Sequence, residues 1–286
     1  MRGLRRRAEE ALANLAYLRR PPVGLAVCAI FRDEAPYLAE WLTFHRLVGV
    51  ERFYLYDNRS TDDWRSELAP ELARGGMVEV VDWPHERGQL GAYADCLARH
   101  RTDTRWIAFI DIDEFLFSPT GRSLPEVLRT FRAWPGVAVC SRYFGFGGWD
   151  ERPGGLVTES YVMRAADDFE PNTWVKSIVF PRMTKGPADI PHHFLYRYER
   201  GAAGEDGRPV AGADRIPPTA DLLRINHYYT RSRAEYARKL EMPSGWGARA
   251  EHLRAEDPRL PADDVRDDTI ARWIPALKLE LAKRAT

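Results

Sequence analysis

The strongest constraint on the fold comes from apolar runs of strand length that end in charged residues. VGLAVCAIF (residues 23–31) and the start of RWIAFIDID (residues 105–113) are apolar at almost every position. A strand with one face in water alternates apolar and polar residues, whereas a strand covered on both faces, as in parallel sheets, is apolar throughout. These runs therefore predict central strands of a buried sheet.

Segments with helical spacing alternate with the strands. Three more strands are predicted, over residues 50–57, 77–83 and 136–144, and three helices, from Pro36, over about residues 87–100 and from the Ser123–Glu126 capping box. This alternation predicts an α/β fold with a mostly parallel central sheet and helices on both faces. Beyond residue 144 we expect short strands, a surface loop and a further helix: residues 156–164, 174–180 and 222–228, residues 200–220, and the segment from Ser232.

Charge, cysteine content and hydropathy exclude several classes of protein. Lys plus Arg and Asp plus Glu each number 42 among the 286 residues, so the basic excess of a nucleic-acid-binding protein is missing and we expect no nucleic-acid partner. Three cysteines without a CxxC pair argue against a disulfide framework and a zinc site, and favour a reducing compartment. No run of 18 apolar residues occurs, so we expect no membrane-spanning helix and a cytoplasmic protein.

Changes in composition divide the chain into three parts. Residues 1–21 predict an amphipathic leader helix, residues 22–240 the main domain, and residues 241–286 a helical C-terminal tail. The leader carries basic residues beside a thin leucine stripe: Arg2, Arg5, Arg6 and Arg7. It predicts either a solvated helix on the domain or a peripheral contact with the inner face of a membrane.

The D-I-D-E-F segment at residues 111–115 carries the clearest chemical signal. Asp111 and Asp113 follow a buried strand, and open α/β sheets bind their ligands at the carboxyl ends of strands. Two carboxylates this close repel each other unless a cation lies between them, and oxygen ligands suit Mg²⁺ or Mn²⁺, ions that also hold phosphates. The segment predicts a metal-diphosphate site; the alternative is an acidic turn that caps the next element.

Other polar residues are predicted at the same edge of the sheet. Arg32 and Glu34 follow the first strand, and Asp57 follows the second, where it could accept a hydrogen bond from a ribose or a base. Gln89 and Tyr93 share one face of a helix. We interpret all five as donor-binding residues. Their plainer explanations are a helix N-terminus, an Asx turn and a core tyrosine.

Two later segments offer a third metal ligand and a cation. His227 follows an apolar run and could ligate the metal once the chain folds back, although a lone histidine is more often a core or surface residue. The adjacent pair His192 and His193 is a rival. Lys176 could offset phosphate charge, and with Asp111 it completes the predicted donor site.

The order of these segments resembles that of a known family. CAIFRDEAPYLAEWLTFHRLVGVERFYLYDNRSTDD, WIAFIDIDEFLF, FGFGGWDERPGGLVTESY, WVKSIVFP and NHYYTRS are similar, in this order, to blocks of glycosyltransferase family 92 and its bacterial family 2-like relatives. The resemblance implies a GT-A type nucleotide-diphospho-sugar transferase fold, a nucleotide-sugar donor with UDP as its nucleotide, and Mn²⁺ or Mg²⁺. Asp111 and Asp113 match the family's DxD acids and His227 its late histidine, whereas Asp33 stands where the family usually has asparagine.

The predicted reaction moves the donor sugar to a hydroxyl of a carbohydrate or other acceptor, as in polysaccharide biosynthesis, with inversion implied by the resemblance. The metal stabilises the leaving diphosphate, and a carboxylate on the opposite side takes the hydroxyl proton. Asp150 is the favoured base because its glycine-rich loop can approach a sugar, with Trp149 beside it as a stacking platform. The alternatives are Glu151, Asp168 and Glu170.

Two other functions fit parts of the pattern. A sugar nucleotidyltransferase uses a similar sheet and similar acids, but it normally has a glycine-rich phosphate loop after the first strand, and CAIFRDEAPY has no glycine. A non-catalytic carbohydrate-binding or scaffold relative would keep the fold, although the intact DxD argues against it. Metal-dependent binding of a nucleoside diphosphate discriminates the enzyme from the scaffold.

Overall fold

The structure is a computed structural model that describes residues 21–197, 199–241 and 260–284. The predicted leader helix and the beginning of the predicted tail lie outside these residues. Within the described ranges the strands are β1 (Val23–Phe31), β2 (Arg52–Asp57), β3 (Val78–Asp82), β4 (Thr104–Phe109), β5 (Glu114–Phe117), β6 (Gly136–Tyr143), β7 (Met163–Arg164), β8 (Val175–Val179), β9 (Thr184–Pro187), β10 (Phe194–Tyr196), β11 (Ala202–Ala203), β12 (Pro209–Val210), β13 (Arg224–His227) and β14 (Val265–Arg266). The helices are α1 (Ala35–Leu47), α2 (Trp64–Arg74), α3 (Gln89–His100), α4 (Leu124–Leu128), α5 (Val157–Ser160), α6 (Arg233–Glu241) and α7 (Ile274–Arg284).

The central sheet has the strand order β12-β11-β6-β8-β4-β1-β2-β3. Strands β4, β1, β2 and β3 are parallel to one another, whereas β8 runs antiparallel to both β4 and β6. Strand β13 pairs in parallel with β6 and antiparallel with β5, which it joins to the sheet. The predicted α/β class and mostly parallel sheet are therefore confirmed.

Both faces of the sheet are covered by helices, as the apolar run of β1 predicts. Leu25 and Val27 lie in a core that includes buried residues of α1, while Ala26 and Cys28 lie in a second core with residues of α3. Because side chains alternate between the two faces of a strand, each core receives every second residue of β1. The burial of both faces explains why β1 carries almost no polar residue.

The parallel register brings the carboxyl ends of neighbouring strands to one edge. Phe31 of β1 is paired with Asp57 of β2, and Asp57 is paired with Asp82 of β3. Strand β4 ends at Phe109, whose neighbour in β1 is Cys28. The segments that follow β1, β2, β3 and β4 therefore meet at this edge, as the sequence predicts.

Several elements differ from the prediction. The predicted strand over residues 105–113 ends at Phe109, because the chain turns back and forms β5, which pairs with β13. Residues 156–164 form α5 and the two-residue β7 in place of one strand. The predicted loop over residues 200–220 contains β11 and β12, because β6 leaves a sheet edge that β11 pairs with. Helix α2 was not predicted.

Residues 260–284 pack against the sheet domain. Leu277 of α7 is fully buried, and the ring of Trp273 contacts those of Phe44 and Phe117. Asp267 is buried and accepts hydrogen bonds from Arg164 and Arg224, each at 2.7 Å. Among the described helices, none has the length and apolar character needed to cross a bilayer.

Asp267 allows a test of how this segment stabilises the domain. Burial raises the pKa of Asp267, but Arg224 and Arg164 outweigh burial and hold that pKa well below its ordinary value. Asp267→Asn is expected to lower the free energy of unfolding by about 2 kcal/mol at neutral pH, since a charged hydrogen-bond acceptor is lost. A carboxyl whose pKa is lower in the folded state stabilises the fold at pH values above its unfolded-state pKa, about 3.9. Urea unfolding should therefore show that the difference in unfolding free energy between wild type and Asp267→Asn shrinks below about pH 4. A difference that persists unchanged in acid contradicts this account.

Candidate active site

Asp111 and Asp113 lie in the turn between β4 and β5. The backbone N–H of Glu114 donates to the carbonyl of Asp111 at 3.1 Å, which closes the turn. The backbone N–H of Tyr228 donates to the carbonyl of Asp113 at 2.8 Å, which anchors the turn to the end of β13. Both aspartates therefore lie at the carboxyl edge of the sheet on a backbone held from two sides.

Asp111 gathers three of the residues predicted to bind the donor. Lys176 of β8 donates to Asp111 Oδ2 at 2.6 Å, and Gln89 donates to Asp111 Oδ1 at 3.0 Å. Gln89 also donates to the hydroxyl of Tyr93 at 3.0 Å, and that hydroxyl lies 3.5 Å from Asp111 Oδ1. The predicted residues Asp111, Lys176, Gln89 and Tyr93 thus form one contiguous polar group.

Asp113 brings the predicted histidine into the site. His227 Nε2 lies 3.4 Å from Asp113 Oδ1, and Lys239 Nζ donates to Asp113 Oδ2 at 2.6 Å. Burial raises the pKa of Asp113, but the charges of Lys239 and His227 outweigh burial and hold that pKa well below its ordinary value. Asp113 is therefore an ionised carboxylate, the form that ligates a cation.

Glu114 lies between the two aspartate groups and was not singled out from the sequence. Its residue is 1% exposed, and its Oε2 accepts from the backbone N–H of Asp111 at 3.0 Å and lies 3.3 Å from Lys176 Nζ. Its Oε1 lies 3.6 Å from His227 Nδ1. Burial raises the pKa of Glu114, and Lys176 opposes that shift. Its position in D-I-D-E-F, one residue after Asp113, is the sequence feature from which it could be predicted as a site residue.

Glu34 lies at the margin of this cluster. It accepts a hydrogen bond from Arg231 at 2.9 Å, and the Arg231 guanidinium stacks on the ring of Tyr37 at 3.4 Å. Burial raises the pKa of Glu34, and Asp113 and Lys239 are close enough to act on it. Arg231 has a positive φ of 53°, a strained backbone conformation for a residue other than glycine. Like Glu114, it is a residue of this region that the sequence does not indicate.

Arg32 and Asp57 lie at the same edge but outside the cluster. Asp57 is buried and accepts hydrogen bonds from Ser60 N at 2.9 Å and Trp64 Nε1 at 3.1 Å, so it organises the turn after β2. Arg32 Nε lies 3.7 Å from Asp33 Oδ2. The carboxylate of Asp33 accepts hydrogen bonds from the segment after β2, including Asp62 N at 3.1 Å.

Asp150 is not in contact with the cluster. Its side chain is 87% exposed and lies 3.3 Å from Arg233 Nε, at the beginning of α6. The rival histidine His192 faces the carbonyl of Val175 at 3.0 Å, and its pKa is lowered to about 4, first by burial and then by Lys176. His192 Nδ1 therefore has a backbone carbonyl as its partner, whereas His227 faces the carboxylates of Asp113 and Glu114.

The residues around Asp113 include some of the ligand types that a divalent cation requires. Over the ranges that the structure describes, no three His, Cys, Asp or Glu side chains converge tightly enough to enclose an ion. Asp113 and His227 nevertheless face each other, and the buried Nδ1 of His227 has no hydrogen-bond partner among the described residues. Carboxylate oxygen and imidazole nitrogen are ligands that suit Mn²⁺. Asp113 and His227 are thus two candidate ligands, and Asp111 lies two residues away in the same turn.

The sequence is similar to glycosyltransferases. The sequence profile "Glycosyltransferase family 92" matches residues 22–146. A glycosyltransferase family 92 protein of Oryza sativa subsp. japonica is 33% identical over 180 residues, which are 62% of this chain and 30% of that protein. A second one, from Ricinus communis, is 31% identical over 212 residues, 72% of this chain and 35% of that protein. The chain therefore spans about a third of the length of the curated relatives it matches.

A beta-1,4-galactosyltransferase of Caenorhabditis elegans is 27% identical over 114 residues, 35% of this chain and 26% of that protein. Among solved structures, Staphylococcus aureus TarS 1–349 has a TM-score of 0.37 at 11% identity and covers 56% of this chain and 48% of that chain. Glucosyl-3-phosphoglycerate synthase from Mycobacterium tuberculosis, in complex with Mn²⁺, UDP and glucosyl-3-phosphoglycerate, has a TM-score of 0.33 at 17% identity. It covers 61% of this chain and 62% of that chain.

Proposed function

We propose that the chain, whose residues 22–146 match the profile of glycosyltransferase family 92, transfers a sugar from a UDP-sugar to a hydroxyl of a carbohydrate acceptor, with a divalent cation. The observation that carries the proposal is the turn with Asp111 and Asp113. It lies where strands β1, β2, β3 and β4 end, the edge at which open α/β sheets bind ligands. Three predicted donor-site residues, Gln89, Tyr93 and Lys176, surround Asp111 in this turn.

We assign the cation to Asp111, Asp113 and His227. When bound, Mn²⁺ or Mg²⁺ supplies positive charge to the leaving nucleoside diphosphate. Lys176 and Lys239 add two further cations beside the same carboxylates, and Arg231 adds a third next to Glu34. Preorganised cations at a developing negative charge stabilise the transition state without reorganising during the reaction.

The nucleoside part of the donor is assigned to the neighbouring turns. Gln89 and Tyr93 lie on one side of Asp111, and Glu34, Arg32 and Asp57 lie at the ends of β1 and β2. Carboxylates and an amide at this edge can accept and donate hydrogen bonds to a ribose and a base. In this proposal Gln89, Tyr93 and Glu34 contact the donor, while Arg32 and Asp57 lie along the same edge, where Asp57 also holds the turn after β2.

The acceptor is assigned to the other side, next to α6. Asp150 lies beside Arg233 at the beginning of α6, and Lys239 on the same helix reaches Asp113. Arg233 and Lys239 are six residues apart, roughly 9 Å along the helix axis, so Asp150 and Asp113 contact different turns of α6. The side chain of Trp149, 41% exposed, adds an apolar surface for that ring. Attack with inversion then needs Asp150 to take the hydroxyl proton.

Asp150→Asn is expected to lower the rate of sugar transfer about 100-fold, because the amide cannot accept the hydroxyl proton. The affinity for UDP with Mn²⁺ should stay unchanged, since Asp150 does not contact the donor residues. Transfer kinetics and calorimetric titration measure the two quantities. Asp221→Asn, which alters an exposed acid with no proposed role, is the matched control. A normal rate in Asp150→Asn would remove this residue as the base.

Donor binding itself is tested by thermal unfolding with UDP, GDP, CDP and ADP, each with and without Mn²⁺. A ligand at 100 times its Kd adds about 2.7 kcal/mol of stability, which raises Tm by roughly 5–10 °C for a chain of this size. We expect this increase for UDP, and only with Mn²⁺. No increase with any of the four nucleotides would favour a non-catalytic carbohydrate-binding relative.

The location of the protein is a separate proposal. We place it in the cytoplasm, with residues 1–21 in peripheral contact with an anionic membrane through Arg2, Arg5, Arg6 and Arg7. Sedimentation with vesicles of anionic lipid, compared with neutral vesicles, tests the contact. Equal sedimentation with both vesicle types would contradict it.

A further inference from the structure

Glu114 faces both halves of the candidate site, and its role goes beyond the assignments above. We propose that Glu114 is a positioning residue that orients His227 towards the cation. The inference rests on the proposed function, since it concerns the same metal site. Glu114 would not touch the cation; it would act through His227.

The backbone places Glu114 opposite His227. Glu114 begins β5 and is the direct antiparallel neighbour of His227 in β13. Side chains of such pairs lie on the same face of the sheet, with Cβ atoms about 5 Å apart. The carbonyl of Glu114 also accepts from Trp41 Nε1 at 2.8 Å, which fixes the start of β5 against α1. The position of the carboxylate is therefore set by the sheet.

Three donors converge on the two carboxylate oxygens. Oε2 receives the backbone N–H of Asp111 at 3.0 Å and lies 3.3 Å from Lys176 Nζ, whereas Oε1 faces His227 Nδ1 at 3.6 Å. Only a carboxylate offers acceptors on both of its terminal atoms; a glutamine amide has one acceptor oxygen and one NH₂ donor. The arrangement thus requires glutamate, because an amide would turn a donor towards either Lys176 or His227.

The imidazole of His227 needs such an acceptor. Its Nδ1 is buried without a hydrogen-bond partner among the described residues, and Glu114 Oε1 faces it within ion-pair distance. A ring N–H given to a carboxylate fixes the tautomer and leaves the other nitrogen free for a metal. That other nitrogen, Nε2, is the one 3.4 Å from Asp113 Oδ1. The rings of Tyr143 and Tyr229 pack against His227 and limit its rotation.

The affinity for Mn²⁺ alone, measured by calorimetry without nucleotide or sugar, tests the inference. Glu114→Gln is expected to lower that affinity about 10–100-fold, as the loss of a partner of a metal-ligating histidine does. Glu71→Gln is the matched control: Glu71 is equally buried and pairs with a cation, Arg284, but lies on α2 and should leave Mn²⁺ binding unchanged. Glu114→Asp is the second variant, for the case that Glu114→Gln does not fold. It retains the negative charge, but its shorter side chain moves the carboxylate oxygens away from His227, so it should also bind Mn²⁺ more weakly.

A double-mutant cycle separates positioning from a general loss of structure. If Glu114 acts through His227, Glu114→Gln combined with His227→Gln binds Mn²⁺ no more weakly than His227→Gln alone. Additive losses, or wild-type affinity in folded Glu114→Gln and Glu114→Asp, would overturn the inference and leave the proposed metal site standing. A wild-type protein that does not bind Mn²⁺ would overturn both.

Discussion

Replacing Asp113 with alanine is expected to abolish the Mn²⁺-dependent binding of UDP while the protein stays folded. The substitution removes an ionised carboxylate that faces His227 and accepts a hydrogen bond from Lys239. Losing one charged ligand of a divalent cation costs several kcal/mol, roughly 1,000-fold in affinity. The fold should survive, because the backbone carbonyl of residue 113 keeps its hydrogen bond from Tyr228 and Lys239 is partly exposed to water.

Calorimetric titration with Mn²⁺, and with UDP in the presence of Mn²⁺, measures both losses, and a thermal melt checks the fold. Asp82→Ala is the matched control, because Asp82 is an exposed carboxylate at the end of β3, on the same edge of the sheet. Its removal changes the charge of that edge but no proposed ligand. Wild-type Mn²⁺ affinity in Asp113→Ala would exclude this residue as a ligand and remove the main support for the metal site.

The sequence predicts the part of the site that depends on strand order. Apolar runs identify β1 and β4, and in a parallel sheet the residues after each run must meet at one edge. The sequence predicts Asp111, Asp57 and Glu34 at this edge, and the structure puts all three there. The contact between Lys176 and Asp111 could be anticipated only as charge complementarity, because β8 is a distant segment that runs antiparallel to β4.

Residues whose roles depend on long-range pairing could not be predicted. Glu114 stands beside His227 only because the chain turns after β4 and β5 pairs with β13, more than 100 residues later. The continuous sequence RWIAFIDID gives no sign that the strand ends at Phe109. Lys239 reaches Asp113 only because α6 folds back over the edge. Such pairings follow from tertiary packing, which local propensity does not determine.

Helix α2 and strands β11 and β12 are not predicted, for two different reasons. Trp64, Leu68 and Glu71 are the buried residues of α2 and follow helical spacing, but Pro70 inside the helix obscures the pattern. Strands β11 and β12 have two residues each, too few for any alternation to be visible. The helical spacing of α2 can be recognised in the sequence, because the capping residue Asp63 precedes it. Strands β11 and β12 depend on a sheet edge that only the folded protein provides.

Lys176→Met is expected to destabilise the protein by about 3 kcal/mol, the cost of leaving the buried carboxylate of Glu114 without its cation. Lys176 is 4% exposed and lies against Asp111 and Glu114, and Glu114 is itself fully buried. Burial alone would lower the pKa of Lys176, but the two carboxylates outweigh burial and hold that pKa well above its ordinary value. The lysine is therefore charged throughout the range in which the protein would be assayed, and methionine replaces its stem but not its charge.

Urea unfolding of both proteins at neutral pH measures this loss. Lys185→Met, in exposed β9, is the matched control and should change the free energy of unfolding by less than about 0.5 kcal/mol. Adding Mn²⁺ sharpens the test: a cation held by Asp111 and Asp113 would offset part of the missing charge, so Mn²⁺ should stabilise Lys176→Met more than wild type. Wild-type stability in Lys176→Met would show that Asp111 and Glu114 do not depend on this lysine, and the electrostatic account of the site would then fail at its centre.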